Sequence, residues 1–345
     1  MYKRGFMAVS TKKRVTINEI AQLAGTSKTT VSFYLNGHTD RMSAETHDRI
    51  QKAIEDTGYK PSPLARSMNA KRTYLLGIVV GDIANAFSNQ IVKGIDSVAS
   101  KEGYRPLISS SNFDRDDERA YIERLLAVGV DGFIVQPTAR FREVAKAISE
   151  ADKHLVFFDS KYYDYTSNWV KTDNYEATYE AIEACLAKGY ERVLMVAAQP
   201  QLLSSRVERF SGCVDALETH EVPREEYTIP DSGVVVEDLT AWLHSQLDGI
   251  DTPTLVFAPN CWALPDVYVA MRDFYPNMPE RIGLLGFDNT DWVSVASPSV
   301  STVVQPAYSE GQQAARILID LINGTGKINP HQVLPCDMHW GSSTR

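Results

Sequence analysis

The sequence predicts an all-α N-terminal head and hinge followed by an α/β body of two parallel-sheet subdomains, on three observations. Formal charge divides at Arg72: residues 1–72 hold 13 Lys/Arg against 6 Asp/Glu (+7), while the remainder holds 22 against 38 (−16). The basic end carries three short helical patterns punctuated by capping residues and glycines. From Tyr74 onward, short apolar runs alternate with helix-length segments, the pattern of parallel strands with helices on both faces. The divisions are a head at 14–60, a hinge at 61–72 and a body at 73–345. Within the body, a first subdomain takes about 73–172 and 305–327, and a second about 173–303 and 328–345.

In the head, Thr16 with Glu19 three residues on forms a capping box, and Ile17, Ile20, Ala21 and Ala24 follow at helical spacing. Gly25 supplies the tight turn that ends this helix. Ser27 caps a second helix from Lys28 to about Leu35, closed by Asn36-Gly37. Ser43 caps a third, with Ile50, Ala53 and Ile54 as its apolar stripe before Gly58. Two short helices joined by a glycine turn, with a third covering the core, make a helix-turn-helix. A purely structural three-helix bundle has the same pattern, and the basic charge tips the reading toward nucleic acid. In such a head the second helix enters the major groove with its N-terminal side chains on base edges. Val31 and Leu35 face the core, leaving Lys28 and Thr29 as exposed readers. Lysine suits guanine acceptors, and Thr29 or Thr30 can contact a base or a phosphate. Thr16, Ser27, Ser32, Phe33, Asn36 and Arg41 complete the candidate DNA-facing set of the head. In the hinge, Ser62 can cap and Pro63 suits a first helical position, but the run is too short to stay helical alone in water.

The run VTINEIAQLAGTSKTTVSFYLNG, followed by MSAETHDRIQKAIEDTGYKPSPLARSMNA, resembles the head and hinge of the lactose/galactose-repressor family of bacterial transcription regulators. The resemblance implies a sequence-specific regulator, a repressor, that works as a homodimer on a pseudo-palindromic operator in double-stranded DNA. It also implies that the hinge folds when paired with its twin in the minor groove, where an apolar residue wedges into a base step. Ala65 and Met68 are the hinge residues in that contact, and Met68 stands where most relatives have leucine. Phe33 occupies a position where family members often carry arginine, and the loop from His38 to Arg41 is one residue longer than usual.

In the body, LLGIVV, RPLISS, GFIVQ, HLVFFD, RVLMVAA, TLVFAP and IGLLGFD read as buried strands. The strand sequence restarts after Trp169 to Asn174, which marks a second sheet. Ligands of open α/β sheets bind beyond the carboxyl ends of the strands. The residues there are Asp82, Ser110 to Asn112, Gln136, Asp159, Asn260 and Asp288. Their amides and carboxylates suit a hydroxylated ligand, although each alone can equally cap the next helix. Here too the family resemblance holds, implying Rossmann-like subdomains of the periplasmic-binding-protein type with an effector between them. Asn85-Ala86-Phe87 is similar to the family's Asn-x-Phe, Arg209-Phe210-Ser211-Gly212 to its Arg-x-x-Gly, and Gly286-Phe287-Asp288 to its Gly-Phe-Asp. Arg209 is then the principal cleft cation, fit for a carboxylate or two sugar hydroxyls. Asn260-Cys261 departs from the family's Asn-Asp, and Ser88 replaces a frequent aromatic, which weighs against a flat purine. With Trp292 as a stacking face, the implied effector-binding set is Asn85, Phe87, Asp159, Arg209, Asn260, Asp288 and Trp292, for a small sugar or sugar acid. Asn260-Cys261 and the stretch from Phe287 to Trp292 resemble the subgroup that controls hexuronate and ketodeoxygluconate catabolism, a branch of carbohydrate metabolism.

No G-x-S-x-G, H-E-x-x-H, G-x-G-x-x-G or complete P-loop occurs; Gly324-Thr325-Gly326-Lys327 runs on into Ile328. The seven histidines do not cluster, and Cys185, Cys213, Cys261 and Cys336 form no C-x-x-C pair. The expectation is therefore no enzyme, no cofactor and no metal. The basic start MYKRGFMAVSTKKR has no apolar export segment and no run is long enough to span a bilayer, so a cytoplasmic protein is expected rather than an exported sugar-binding one. A purely architectural DNA binder would have no use for an acidic body with a polar cleft. The ending WGSSTR holds no heptad tail, so a dimer is expected rather than a tetramer.

Overall fold

A computed structural model describes residues 15–35, 37–59, 72–138, 141–161, 167–199, 203–230, 233–288 and 291–345. The expected hinge up to residue 71, with Ala65 and Met68, lies outside the described residues, as does Asn36. The chain forms two compact units that divide after Thr73.

The first unit holds α1 (Ile17–Leu23), α2 (Lys28–Leu35), a 3-10 turn (Thr39–Arg41) and α3 (Ala44–Thr57). The expected caps form. The Thr16 hydroxyl accepts from the Glu19 amide at 3.3 Å while the Glu19 carboxylate accepts from the Thr16 amide at 2.6 Å. The Ser27 hydroxyl accepts from the Thr30 amide at 3.1 Å and that of Ser43 from the Thr46 amide at 3.3 Å. Such a cap typically contributes about 1 kcal/mol. Gly25, at φ 58°, makes the turn between α1 and α2 in a conformation that a side chain would strain. Ile20, Ala21, Ala24, Val31, Ile50 and Ala53 form the core, with Leu35 and Ile54 packed at its edge.

The second unit contains two six-stranded sheets. The first orders β11 (His331–Leu334), β5 (Asn168–Thr172), β4 (His154–Phe158), β3 (Gly132–Val135), β1 (Leu75–Val80) and β2 (Arg105–Ser110), all parallel. The second orders β12 (Asp337–His339), β10 (Ser301–Val304), β9 (Ile282–Phe287), β8 (Thr254–Ala258), β6 (Arg192–Ala198) and β7 (Arg224–Ile229), parallel except for β12. Helices α4 (Ala86–Ala99), α5 (Arg115–Val128), α6 (Arg142–Glu150) and α11 (Ala307–Asn323) accompany the first sheet. Helices α7 (Asn174–Ala187), α8 (Ser204–Thr219), α9 (Val236–Leu247) and α10 (Leu264–Ala270) accompany the second. With both faces covered, interior strands such as Leu75–Val80 and Ile282–Phe287 are apolar throughout. Strand order reverses between β1 and β3 and between β6 and β8, opening a crevice at the carboxyl end of each sheet.

The chain passes between the subdomains after β5, after β10 and between β11 and β12. These crossings are tied together. The Cys336 amide donates to Asp173 Oδ1 at 2.8 Å, the Asp173 amide to the Leu334 carbonyl at 3.2 Å, and Gln305 Nε2 to Thr172 Oγ1 at 2.9 Å. The third crossing corrects the expected boundary, because residues 328–345 do not all belong to the second subdomain. Strand β11 extends the first sheet beside β5, with His331 opposite Trp169 and their rings stacked at 5.2 Å. As a half-exposed edge strand, His331-Gln332-Val333-Leu334 lacks the apolar run that marks an interior strand. For the same reason Arg224–Ile229 gave no strand signal, and Trp169–Thr172, read as the marker of a second sheet, is itself β5 of the first.

Candidate functional site

On α2, Lys28 and Thr29 are exposed at the N-terminal end, while Val31 is buried and Leu35 packs on the core. The Ser27 and Thr30 hydroxyls lie 2.9 Å apart and engage each other at the cap, and Thr16 caps α1. Ser32 and Phe33 are half-buried. The Arg41 guanidinium sits 5.0 Å from the Phe33 ring centre, with His38 edge-on to the same ring at 6.4 Å. The longer loop thus delivers a cation beside the C-terminal end of α2, where the helix dipole favours positive charge.

In the body, the polar groups converge on Arg209, in the second turn of α8 and only 6% exposed. Its Nε donates to Asn174 Oδ1 at 2.8 Å, Nη1 to the Pro259 carbonyl at 2.9 Å and Nη2 to Gln305 Oε1 at 2.9 Å. The guanidinium carbon lies 3.7 Å from the Phe287 ring centre, a desolvated cation–π contact. Asp159 Oδ1 is 3.8 Å from Nη2. Five strand ends and helix starts from both subdomains therefore meet at one side chain.

Asp159 and Asp288 occupy equivalent strand ends in the two sheets, after β4 and β9. Both have left-handed backbones, at φ 63° and 84°, a conformation that marks functional turns when a non-glycine residue holds it. Asp159 Oδ2 accepts from Gln136 Nε2 at 2.8 Å and Ser205 Oγ at 3.4 Å, and Gln136 Oε1 accepts from the Gly81 amide at 2.9 Å. The Asp159 amide donates to Glu310 Oε1 at 2.6 Å, and the Asp288 amide donates to the Val303 carbonyl. Burial pushes the Glu310 carboxyl well above the usual carboxylate range, and the Asp159 and Asp288 charges add to this. Burial likewise raises the Cys261 thiol to about 12, so it stays neutral.

The remaining predicted residues are placed as follows. Asn85 caps α4 through the Phe87 amide at 2.9 Å, and its Nδ2 donates to Cys261 Sγ at 3.3 Å, joining the two subdomains. Phe87 is buried in the first subdomain's core cluster, which also includes Cys261. Asn260 Oδ1 accepts from the Ala198 amide at 2.9 Å, tying the ends of β6 and β8. Trp292 packs at the edge of the second core, 5.3 Å from the Tyr268 ring, and its buried Nε1 has no hydrogen-bond partner among the described residues. Sequence reasoning missed Asn174, Gln305 and Glu310, and a part-buried Lys171–Glu208 pair at 2.7 Å. Asn174 and Gln305 stand at the chain crossings. Glu310 betrays itself as an acid on the apolar stripe of an amphipathic helix.

A helix-turn-helix unit carried on a body with a polar cleft between two parallel-sheet subdomains defines a DNA-binding regulator of the ligand-responsive class. Comparison with known families agrees. Bacterial regulatory proteins of the lacI family are matched by residues 16–62, the periplasmic binding proteins and sugar binding domain of the LacI family by 73–258, and a periplasmic binding protein-like domain by 182–344. The chain belongs to the LacI family of bacterial transcription regulators. It is 29% identical over 322 residues to the HTH-type transcriptional regulator KdgR of Bacillus subtilis (strain 168), covering 92% of this chain and 94% of that one. The lac repressor dimer bound to operator and the anti-inducer ONPF shares the fold at a TM-score of 0.73 and 24% identity, over 96% of this chain and 99% of that one. A complex of the transcriptional regulator CelR with cellobiose does so at 0.67 and 23%, over 96% and 100%. Among the described residues no helix is long and apolar enough to cross a membrane.

Proposed function

We propose that this regulator is a homodimeric repressor whose grip on a pseudo-palindromic operator is set by a small sugar or sugar acid held between the two subdomains. The observation that carries this reading is the convergence of both subdomains on Arg209. Its planar donors, with the Asp159 and Asp288 carboxylates nearby, match the donor and acceptor pattern of a polyhydroxylated ligand. Trp292, whose indole N–H has no hydrogen-bond partner among the described residues, supplies a stacking face and one more donor. Asn85, Phe87 and Asn260 act from the rim and the floor, Asn85 by closing the two subdomains on each other. The cellobiose and ONPF complexes of the structural relatives support a saccharide-like ligand. The Asn260-Cys261 and Phe287-to-Trp292 features, which resemble the subgroup that controls hexuronate and ketodeoxygluconate catabolism, support a sugar acid within that range. On the head, Lys28 and Thr29 read base edges, while Thr16, Ser27, Thr30, Ser32, Phe33 and Arg41 support or contact the backbone. The test is a thermal-shift screen of the full chain with neutral sugars, sugar acids, sugar phosphates and purines. A sugar acid should raise the melting temperature of the wild type and leave Arg209→Ala unmoved. A response to purines alone, or one that survives in Arg209→Ala, would sink the reading.

A further inference from the structure

Glu310 lies in the first turn of α11, on a buried stripe with Ala307, Gly311, Ala314 and Leu318. The other members of that stripe are apolar or small, so packing gives no reason for a carboxyl group there. Oε1 accepts the Asp159 amide at 2.6 Å, and the fully buried Oε2 has no hydrogen-bond partner among the described residues. The charged groups facing it are Asp159 at the end of β4, Asp288 at the end of β9 and Arg209 on α8. Lys171 on the adjoining β5 is taken by Glu208, and the α4 charges Lys93 and Asp96 are exposed. Two carboxylates therefore face Glu310 against one guanidinium that already donates to three other acceptors. Loss of water and these like charges both disfavour the ionised form; the Asp159 amide and Arg209 oppose them and are outweighed.

We propose that Glu310 is a positioning residue of the effector site and couples closure of the cleft to the uptake of one proton. The inference rests on the cleft reading above. Neutral Glu310 keeps the Asp159 backbone in its left-handed turn, and so holds that carboxylate against Gln136, Ser205 and Arg209. Every group of this cluster is more than nine-tenths buried, so a ligand enters only when the subdomains separate. Water then reaches Glu310 and it ionises, returning its proton to solvent; on closing, an O–H bond forms again at Oε2. The closed form binds the proton more tightly, so it is favoured at low pH and lost as pH rises through the closed-state titration of Glu310.

Two ligand-free measurements on the full chain test this. Infrared spectra with ¹³C-labelled glutamate report neutral glutamic acid. In a pH titration, a band that persists above the usual carboxylate range is expected in wild type and not in Glu310→Gln, while the band of the buried Glu118 is common to both. Its absence from wild type overturns the proposal even if the variant fails to fold. Alkylation of Cys261 by N-ethylmaleimide, mapped by mass spectrometry, reports opening because that thiol is buried at the Asn85 contact. Dividing the wild-type rate by the Glu310→Gln rate at each pH cancels the thiol's own titration. The ratio should climb with pH, by up to roughly tenfold per unit for one linked proton; a flat ratio overturns the coupling. Glu310→Gln keeps an acceptor for the Asp159 amide and should stay closed, whereas Glu310→Ala should open at every pH. Because no effector is involved, failure here is distinct from failure of the sugar-type reading, which the ligand screen judges.

Discussion

Gly212 packs so closely on α7 that a Cβ there would lie 2.4 Å from the Tyr175 carbonyl oxygen. This contact gives the Arg-x-x-Gly pattern its physical meaning. Without a side chain at 212, α8 approaches α7 closely enough for Arg209, one turn earlier, to reach Asn174 at the start of α7. Gly212→Ala must push two backbones apart, at a cost of about 1–3 kcal/mol for an overpacked site. We expect calorimetry to show a melting temperature lower by several degrees and ligand screening to show a weakened effector response. A variant with unchanged melting and response would mean that α8 is not held by this contact.

Arg209→Ala should act on stability as well as on ligand response. Removing the guanidinium leaves Asp159 buried without its cation, a loss typically of about 3–5 kcal/mol. Arg209→Lys should not restore the response, because one ammonium cannot reproduce three in-plane donors aimed at Asn174, Pro259 and Gln305. Urea denaturation alongside effector titration separates the two effects. Full response in Arg209→Lys would show that charge alone suffices.

Most of the fold was legible because local signals and tertiary environment agree. Thr16, Ser27 and Ser43 cap where the spacing puts them, and interior strands such as Ile282–Phe287 are apolar because both faces are covered. The edge strands β7 and β11 were not legible, since one-sided exposure leaves them polar. At the cleft, Arg209, Asp159 and Asp288 stood out as polar residues at strand ends or in a known pattern. Asn174 and Gln305 did not, because their roles come from chain crossings that only the folded topology brings together, and Glu310 left only the trace of an acid on an apolar helix stripe. Phe87 shows the converse: a residue carried by a binding pattern is packed into the core.

A second buried acid gives a pH signature independent of the cleft. Glu118 on α5 accepts from the Thr138 amide at 2.9 Å and its hydroxyl at 3.0 Å, yet burial outweighs these bonds and raises its carboxyl to about 7. In the unfolded chain it titrates near 4.5. Between those values the folded state holds a proton that the unfolded state has lost, so its contribution to stability declines as pH rises through this window, by roughly 3 kcal/mol in all. Denaturation of wild type and Glu118→Gln from pH 4 to 8 checks this. The wild type should lose stability relative to the variant across the window, and parallel curves would contradict the shift.

Lys28 stands exposed at the N-terminal end of α2, next to Thr29 and clear of the core that Val31 and Leu35 build. From that position an ammonium can reach the O6 and N7 acceptors of a guanine in the major groove. Selection of duplexes from a random pool by the full chain should return a pseudo-palindrome, its two halves matching the two-fold axis of a dimer. Affinity for it should fall steeply with salt, with a logarithmic slope of about −0.9 for each neutralised phosphate. The same selection with Lys28→Ala should return the motif with one position per half-site relaxed, by about 1–3 kcal/mol, and the other positions intact. If the variant instead binds every sequence more weakly and keeps the motif, Lys28 contacts a phosphate. Base reading would then pass to Thr29 and to Arg41, whose guanidinium rests on Phe33 at the far end of the same helix.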